Sequence, residues 1–135
     1  RRINLEITES KAIQSADILI SNMEKLRSIG ITFSLDDFGT GFSNLDYLLE
    51  LPINIVKFDR KMTQADFENE KRRAVMGGVI NMIKAVDLEI VAEGVEEKYQ
   101  LDELSKIDID FIQGYYFSKP VSAEEFIKLV YGQQL

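Results

Sequence analysis

The stretch Ser34-Leu35-Asp36-Asp37-Phe38-Gly39-Thr40-Gly41-Phe42-Ser43-Asn44-Leu45 decides how the rest of the chain is read. It runs from an apolar strand into two adjacent carboxylates, then a turn with two glycines, then a helix start. Adjacent aspartates repel, so a buried pair is stable only if protonated or bridged by cations. Gly39 and Gly41 open backbone angles closed to other residues and let a ligand approach the main chain. Asp and Gly are also ordinary turn formers, so the stretch alone is compatible with a plain loop. The flanking segments decide between the two.

Those segments alternate strands with helices. Ile3 to Thr8 reads as a strand and about Ser10 to Ser28 as a helix, with Ile13, Ala16, Ile20, Met23 and Leu26 at helical spacing and Gly30 just past its end. Ile31 to Asp36 is a second strand, followed by a short helix with Leu45, Leu48 and Leu49 that stops at Pro52. Ile53 to Asp59 is a third strand, and a helix of about Phe67 to Val86 follows. Gly77-Gly78 falls inside that helix and should weaken it by about 1 kcal/mol per glycine, unless close packing requires it. Leu88 to Val95 reads as a fourth strand, Lys98 to Ser105 as a helix, and Asp110 to Phe117 as a fifth strand. Ser122 and Glu125 have the spacing of a capping box for a last helix through Phe126, Leu129 and Val130.

Repeated strand–helix units predict a parallel sheet covered by helices. Within the strands, Thr32, Ser34 and Asp36 share one face and Ile31, Phe33 and Leu35 the other. Ile55, Lys57 and Asp59 likewise oppose Val56 and Phe58, while Glu89, Val91 and Glu93 oppose Leu88, Ile90 and Ala92. Each strand thus has an apolar face for helices and a polar side chain at its C-terminal end on the other. That is the layout of a TIM-like β/α barrel, whose active sites gather at the C-terminal strand ends. The fold class expected is α/β, with about five βα units forming the C-terminal part of such a barrel. An open doubly wound sheet explains the inward charges less well.

Composition limits the chemistry. The 135 residues are 45% hydrophobic, enough for one domain with a real core. A net charge of −7 argues against a general nucleic-acid or anionic-membrane surface. There is no cysteine and no histidine, so any metal must sit among oxygens, which suits magnesium, manganese or calcium. No apolar run approaches the ~20 residues of a membrane span. The first residue is Arg1 rather than Met, so the sequence is expected to be a portion of a longer protein.

Glu6, Asp36, Asp37, Lys57, Asp59, Glu93, Glu96 and Gln113 all fall at or near strand ends. Singly, most read as solvated charges. Together, acidic strand ends converging on one lysine look like a metal site with a charge-stabilising cation. A Schiff-base role for Lys57 is the alternative, but surrounding carboxylates would hold that lysine protonated.

Five segments, in this order, resemble the EAL domain family of bacterial cyclic di-GMP phosphodiesterases: Leu5-Glu6-Ile7-Thr8-Glu9-Ser10, Asp36-Asp37-Phe38-Gly39-Thr40-Gly41, Ile55-Val56-Lys57-Phe58-Asp59, Val91-Ala92-Glu93-Gly94-Val95-Glu96 and Gln113-Gly114-Tyr115. They span nearly the whole chain. The resemblance implies a two-metal site for Mg2+ or Mn2+, with Glu6 and Asp36 on one metal and Asp36 and Asp37 on the other. It implies that Lys57 contacts the attacking water or the phosphate and that Glu93 supports the surrounding water network, making Lys57, Glu93 and Asp37 the catalytic group. Gln113 would line the site, with Asp59 and Glu96 in support. Glu9 would anchor the Asp36–Ser43 loop and couple dimer contacts to metal binding.

The resemblance further implies cyclic di-GMP as ligand, a homodimer, a bacterial cytoplasmic setting (the parent being free or membrane-anchored), and a sensory or cyclase domain elsewhere in the parent. Neither a nucleic-acid polymer nor a membrane segment is expected. Two family features are missing: the Glu-Ala-Leu motif and a metal-binding asparagine, both expected upstream of Arg1. Residues 1–135 are therefore read as a partial EAL domain, inactive alone and prone to associate through open sheet edges. The alternative is a degenerate EAL domain acting as a cyclic di-GMP receptor or protein-interaction module. Asp87 stands where the family often has glycine, and Gly77-Gly78 where it has bulkier residues.

Overall fold

Five parallel strands lie side by side in chain order in the computed structural model, which describes residues 3–8, 16–39, 45–64 and 67–132. They are β1 (Asn4–Thr8), β2 (Thr32–Phe38), β3 (Ile55–Phe58), β4 (Glu89–Ala92) and β5 (Phe111–Ile112). A doubly wound sheet reverses its strand order at a switch point. Here each strand pairs with the next in sequence, as in a barrel wall.

Helices α1 (Ala16–Arg27) and α4 (Glu70–Lys84) cover the apolar face, and between them come the short α2 (Asp46–Glu50) and α3 (Arg60–Thr63). Phe33, Leu35 and Phe38 of β2, Val56 and Phe58 of β3 and Ile90 of β4 form one buried cluster with Met23 of α1 and Met76, Ile80 and Ile83 of α4. Such side chains contribute about 1.5–3 kcal/mol each on burial, so this layer holds the sheet flat against its helices. Helix α5 (Lys98–Leu104) extends the layer, with Leu104 packed on Ala92 and Val95. The last helix, α6 (Ala123–Gly132), buries no residue and leaves Phe126, Leu129 and Val130 exposed.

Both long βα units close with the same turn. After α1, Gly30 N–H donates to Arg27 O and Ile31 N–H to Leu26 O; after α4, Asp87 N–H donates to Lys84 O and Leu88 N–H to Ile83 O. The turn requires a left-handed residue. Gly30 meets it at φ 92°, and Asp87 meets it at φ 58° despite its side chain. A glycine at position 87 would meet the same backbone demand without a side chain. Gly77 and Gly78 have no such reason: among the described residues, and apart from their own stretch of helix, nothing lies within 4 Å of where a Cβ would stand on either.

Several boundaries differ from those expected from the sequence, two of them with consequences for the site. The fifth strand is two residues rather than eight, because the chain turns at Gly114, with Phe117 N–H bonded to Gly114 O and Tyr116 N–H to Val95 O. The aromatic run Tyr115–Phe117 had strand composition but lies in that turn. The third strand ends at Phe58, and Asp59 caps α3 by accepting a hydrogen bond from Lys61 N–H at 2.8 Å. The first turn of the helix expected from Ser10 lies outside the described residues, as does Glu9. The Ser122–Glu125 box is formed, each residue accepting the other's backbone N–H.

Candidate active site

The face of the sheet away from the helices carries a polar layer built by the strand register. Asn4 is opposite Thr32, Glu6 opposite Ser34 and Thr8 opposite Asp36. Asn4 donates to Thr32 Oγ1 at 3.0 Å and accepts from Ser34 Oγ at 2.6 Å, so these alternate residues do share one face.

At the C-terminal end of that layer stands Lys57. Its side chain is buried, and its ammonium lies 2.5 Å from Glu6 Oε1, 2.6 Å from Glu93 Oε1 and 3.8 Å from Asp36 Oδ1. Residues from four strand ends therefore converge on one cation. Burial alone would pull the lysine pKa down, but the hydrogen bonds it donates to Glu6 and Glu93 outweigh it and the value is raised. An ammonium held this way is a fixed positive charge and a poor nucleophile, which removes the Schiff-base alternative. Burial raises the Glu93 carboxyl, partly offset by Lys57.

Asp36 and Asp37 occupy a β-bulge. From Leu35 to Phe38 the chain advances three residues while its partner advances two, Val56 to Phe58. Asp37 absorbs the extra residue at φ 60°, a left-handed angle that aspartate tolerates better than most side chains. The bulge returns Phe38 to the apolar face, where it stacks on Phe58 at 5.9 Å. Without it, strict alternation would turn Asp37 into the core. The Asp37 pKa is raised, chiefly by the neighbouring Asp36 carboxylate. Gly39 follows at φ 94°; Gly41 lies outside the described residues.

The residues fit a hard divalent cation in two respects. Among the described residues Asp36 Oδ1 is buried with no hydrogen-bond donor, an oxygen a metal would satisfy. The Asp36–Asp37 repulsion is also of the kind a cation relieves. Among the described residues, however, no three acidic side chains are grouped so as to hold a metal ion, and Glu6 is paired with Lys57 instead.

The remaining candidates lie to one side. Glu96 pairs with Arg60 at 3.2 Å. Gln113 is exposed, and with Asp59, Arg60, Glu93, Glu96 and Tyr115 it lines a groove of about 1030 Å³ that opens beside Glu93. A smaller apolar recess of about 290 Å³, around Met62, Phe67 and Met76, includes none of the site carboxylates. Thr63 and Gln64, which grip the turn after β4, escaped the sequence reading. Nothing in their residue types marks them.

Sequential parallel strands with charged groups at their C-terminal ends define a β/α-barrel protein. The chain belongs to the EAL domain family, whose model matches residues 1–120. It is 37% identical over 124 residues to the oxygen sensor protein DosP of Escherichia coli, covering 92% of this chain and 16% of DosP. It is 36% identical over 129 residues to the cyclic di-GMP phosphodiesterase NbdA of Pseudomonas aeruginosa, covering 93% of this chain and 16% of NbdA. Among solved structures, the EAL enzyme Bd1971 in its cAMP- and cyclic-di-GMP-bound form superposes with a TM-score of 0.85 at 41% identity, covering 95% of this chain and 34% of that one. The chain thus spans about a sixth of the curated relatives' length and about a third of the solved structure.

Proposed function

We propose that this chain is the C-terminal part of an EAL domain that hydrolyses cyclic di-GMP to the linear dinucleotide. The observation that carries the reading is the convergence of Glu6, Asp36 and Glu93 on the buried Lys57 at the strand ends. The name of NbdA and the ligand of Bd1971 point to the same substrate.

Glu6, Asp36 and Asp37 would hold two Mg2+ or Mn2+ ions, which in such sites activate a water and stabilise the leaving oxygen of a phosphodiester. The ions also reverse the sign of the local field, so that an acidic protein can accept an anionic dinucleotide. Lys57 holds a positive charge where negative charge develops on the phosphate. Glu93 orients Lys57, and Gln113 faces the groove in which a base would lie. Glu9, by analogy with the family, would anchor the Asp36–Ser43 loop.

The five described strands leave β1 and β5 paired on one side only. A TIM-like barrel has eight strands. The Glu-Ala-Leu glutamate, the metal-binding asparagine and the closing strands would come from the preceding part of the parent protein, together with any sensory or cyclase domain. Among the described residues no helix is long and apolar enough to cross a membrane. A cytoplasmic homodimer is the assembly in which this reading places the domain.

The test is hydrolysis by the intact parent protein with Mg2+ or Mn2+, followed by chromatography of the product. Metal-dependent formation of linear dinucleotide supports the reading. Binding of cyclic di-GMP without turnover would favour the receptor alternative instead.

A further inference from the structure

We infer that Thr63 and Gln64 are positioning residues that lock the Glu93–Gly94 turn to the segment carrying Lys57; the inference rests on the hydrolytic reading of the site. Thr63 is completely buried, and its hydroxyl donates to the Glu93 carbonyl oxygen. The same hydroxyl lies 3.2 Å from Arg60 O, the longer of its two contacts. The single hydroxyl proton is assigned to the nearer acceptor, Glu93 O. Gln64 Oε1 accepts from Arg60 Nε at 2.9 Å, which turns its Nε2 toward Gly94 O, also at 2.9 Å.

Two adjacent carbonyls are thus held by Thr63, the last residue of α3, and Gln64, its C-cap. Gly94 sits at φ 73°, and a Cβ there would come within 2.9 Å of Arg60 Cβ, so the helix lies directly on the turn. The other side of Glu93 is fixed as well, because its N–H donates to Phe58 O at 3.1 Å. Phe58 follows Lys57 in β3, and α3 begins two residues later. Every backbone anchor of Glu93 named here comes from the segment that carries Lys57. The two charged groups move as one unit, and Asp59 contributes by capping the helix that does the holding.

Thr63→Val keeps the shape and removes the hydroxyl. In the intact protein, with Mn2+ and cyclic di-GMP, it should lower kcat about tenfold, the scale on which supporting hydrogen bonds act, with KM within about twofold of wild type. Thr63→Ser should restore kcat to within about twofold, which a purely space-filling role would not do. Gln64→Met should lower kcat in the same selective way, and it decides the matter if Thr63→Val does not fold. Wild-type kcat in folded Thr63→Val, equal losses in the Val and Ser variants, or wild-type kcat in Gln64→Met when Thr63→Val fails to fold would each overturn the inference. A wild-type protein without hydrolysis would instead overturn the functional reading, and this inference with it, before any variant is compared.

Discussion

Lys57 reaches past β2 to place its ammonium 2.5 Å from Glu6 Oε1 on β1, while a second contact at 2.6 Å ties it to Glu93 after β4. One side chain thus spans four strands, and Asp36 of the intervening strand lies beneath it at 3.8 Å. Lys57→Ala in the intact protein should reduce kcat by about 10² or more, the loss typical of a positioned electrostatic group. Single-turnover and steady-state kinetics would check it. A change confined to KM would make Lys57 a uniform binding contact instead.

Among the described residues Asp36 has a buried oxygen without a hydrogen-bond donor, so it stands to gain from a cation. Asp36→Asn keeps the shape, halves the local negative charge of the aspartate pair and should weaken Mn2+ binding by about tenfold or more. It should nearly abolish turnover in the intact protein. Calorimetric titration of Mn2+ reads the first effect independently of activity. An unchanged isotherm would remove Asp36 from the metal site.

Much of this was legible because strand faces follow period two. Spacing alone puts Phe33 and Leu35 on the apolar face and Ser34 and Asp36 on the polar one, and the register of β1 against β2 agrees. The bulge at Asp37 was not legible. Period-two reading assumes no extra residue, and only the backbone angle reveals one. Asp59 looked like another inward charge because strand β3 was carried one residue too far. A helix of four residues, such as α3, has too few positions to show periodicity. Tyr115–Phe117 misled for the opposite reason: aromatic composition favours strand, but Gly114 turns the chain first.

Asp87 offers a stability test free of the chemistry. Its left-handed angle of 58° carries a steric cost that glycine does not have, and Gly30 fills the equivalent turn after α1. Asp87→Gly should therefore stabilise the domain by about 0.5–1 kcal/mol, net of the extra freedom glycine has when unfolded. Urea unfolding of the intact domain would show it as a higher midpoint with unchanged slope. A lower midpoint would mean that the aspartate side chain contributes more than its backbone costs.

Gly77 and Gly78 invite the reverse substitution. Both lie inside α4, and a Cβ on either meets nothing within 4 Å among the described residues. Gly77→Ala and Gly78→Ala should each add about 0.5–1 kcal/mol by favouring the helix. Thermal unfolding of the intact domain would register a rise in Tm for each and a roughly additive rise for the pair. A fall would indicate that the open space is filled in the full domain.

The last prediction concerns pH. Asp110 precedes β5, and its carboxylate pairs with Lys84 of α4 while accepting Ile90 N–H at 2.6 Å. Burial would raise its pKa, but these two donors outweigh it and hold the group below the ordinary aspartate value. A carboxyl depressed in the folded state stabilises fully above its unfolded pKa and loses that contribution as pH falls through the folded one. Asp110→Asn keeps an oxygen for Ile90 N–H but removes the charge, so it should cost about 1 kcal/mol at pH 7. The deficit relative to wild type should begin to shrink below about pH 4 and vanish once Asp110 is protonated in both states. Urea midpoints of both proteins across that range would trace it. A deficit that stayed constant with pH would assign the effect to packing at the start of β5, and the charge of Asp110 would have no share in it.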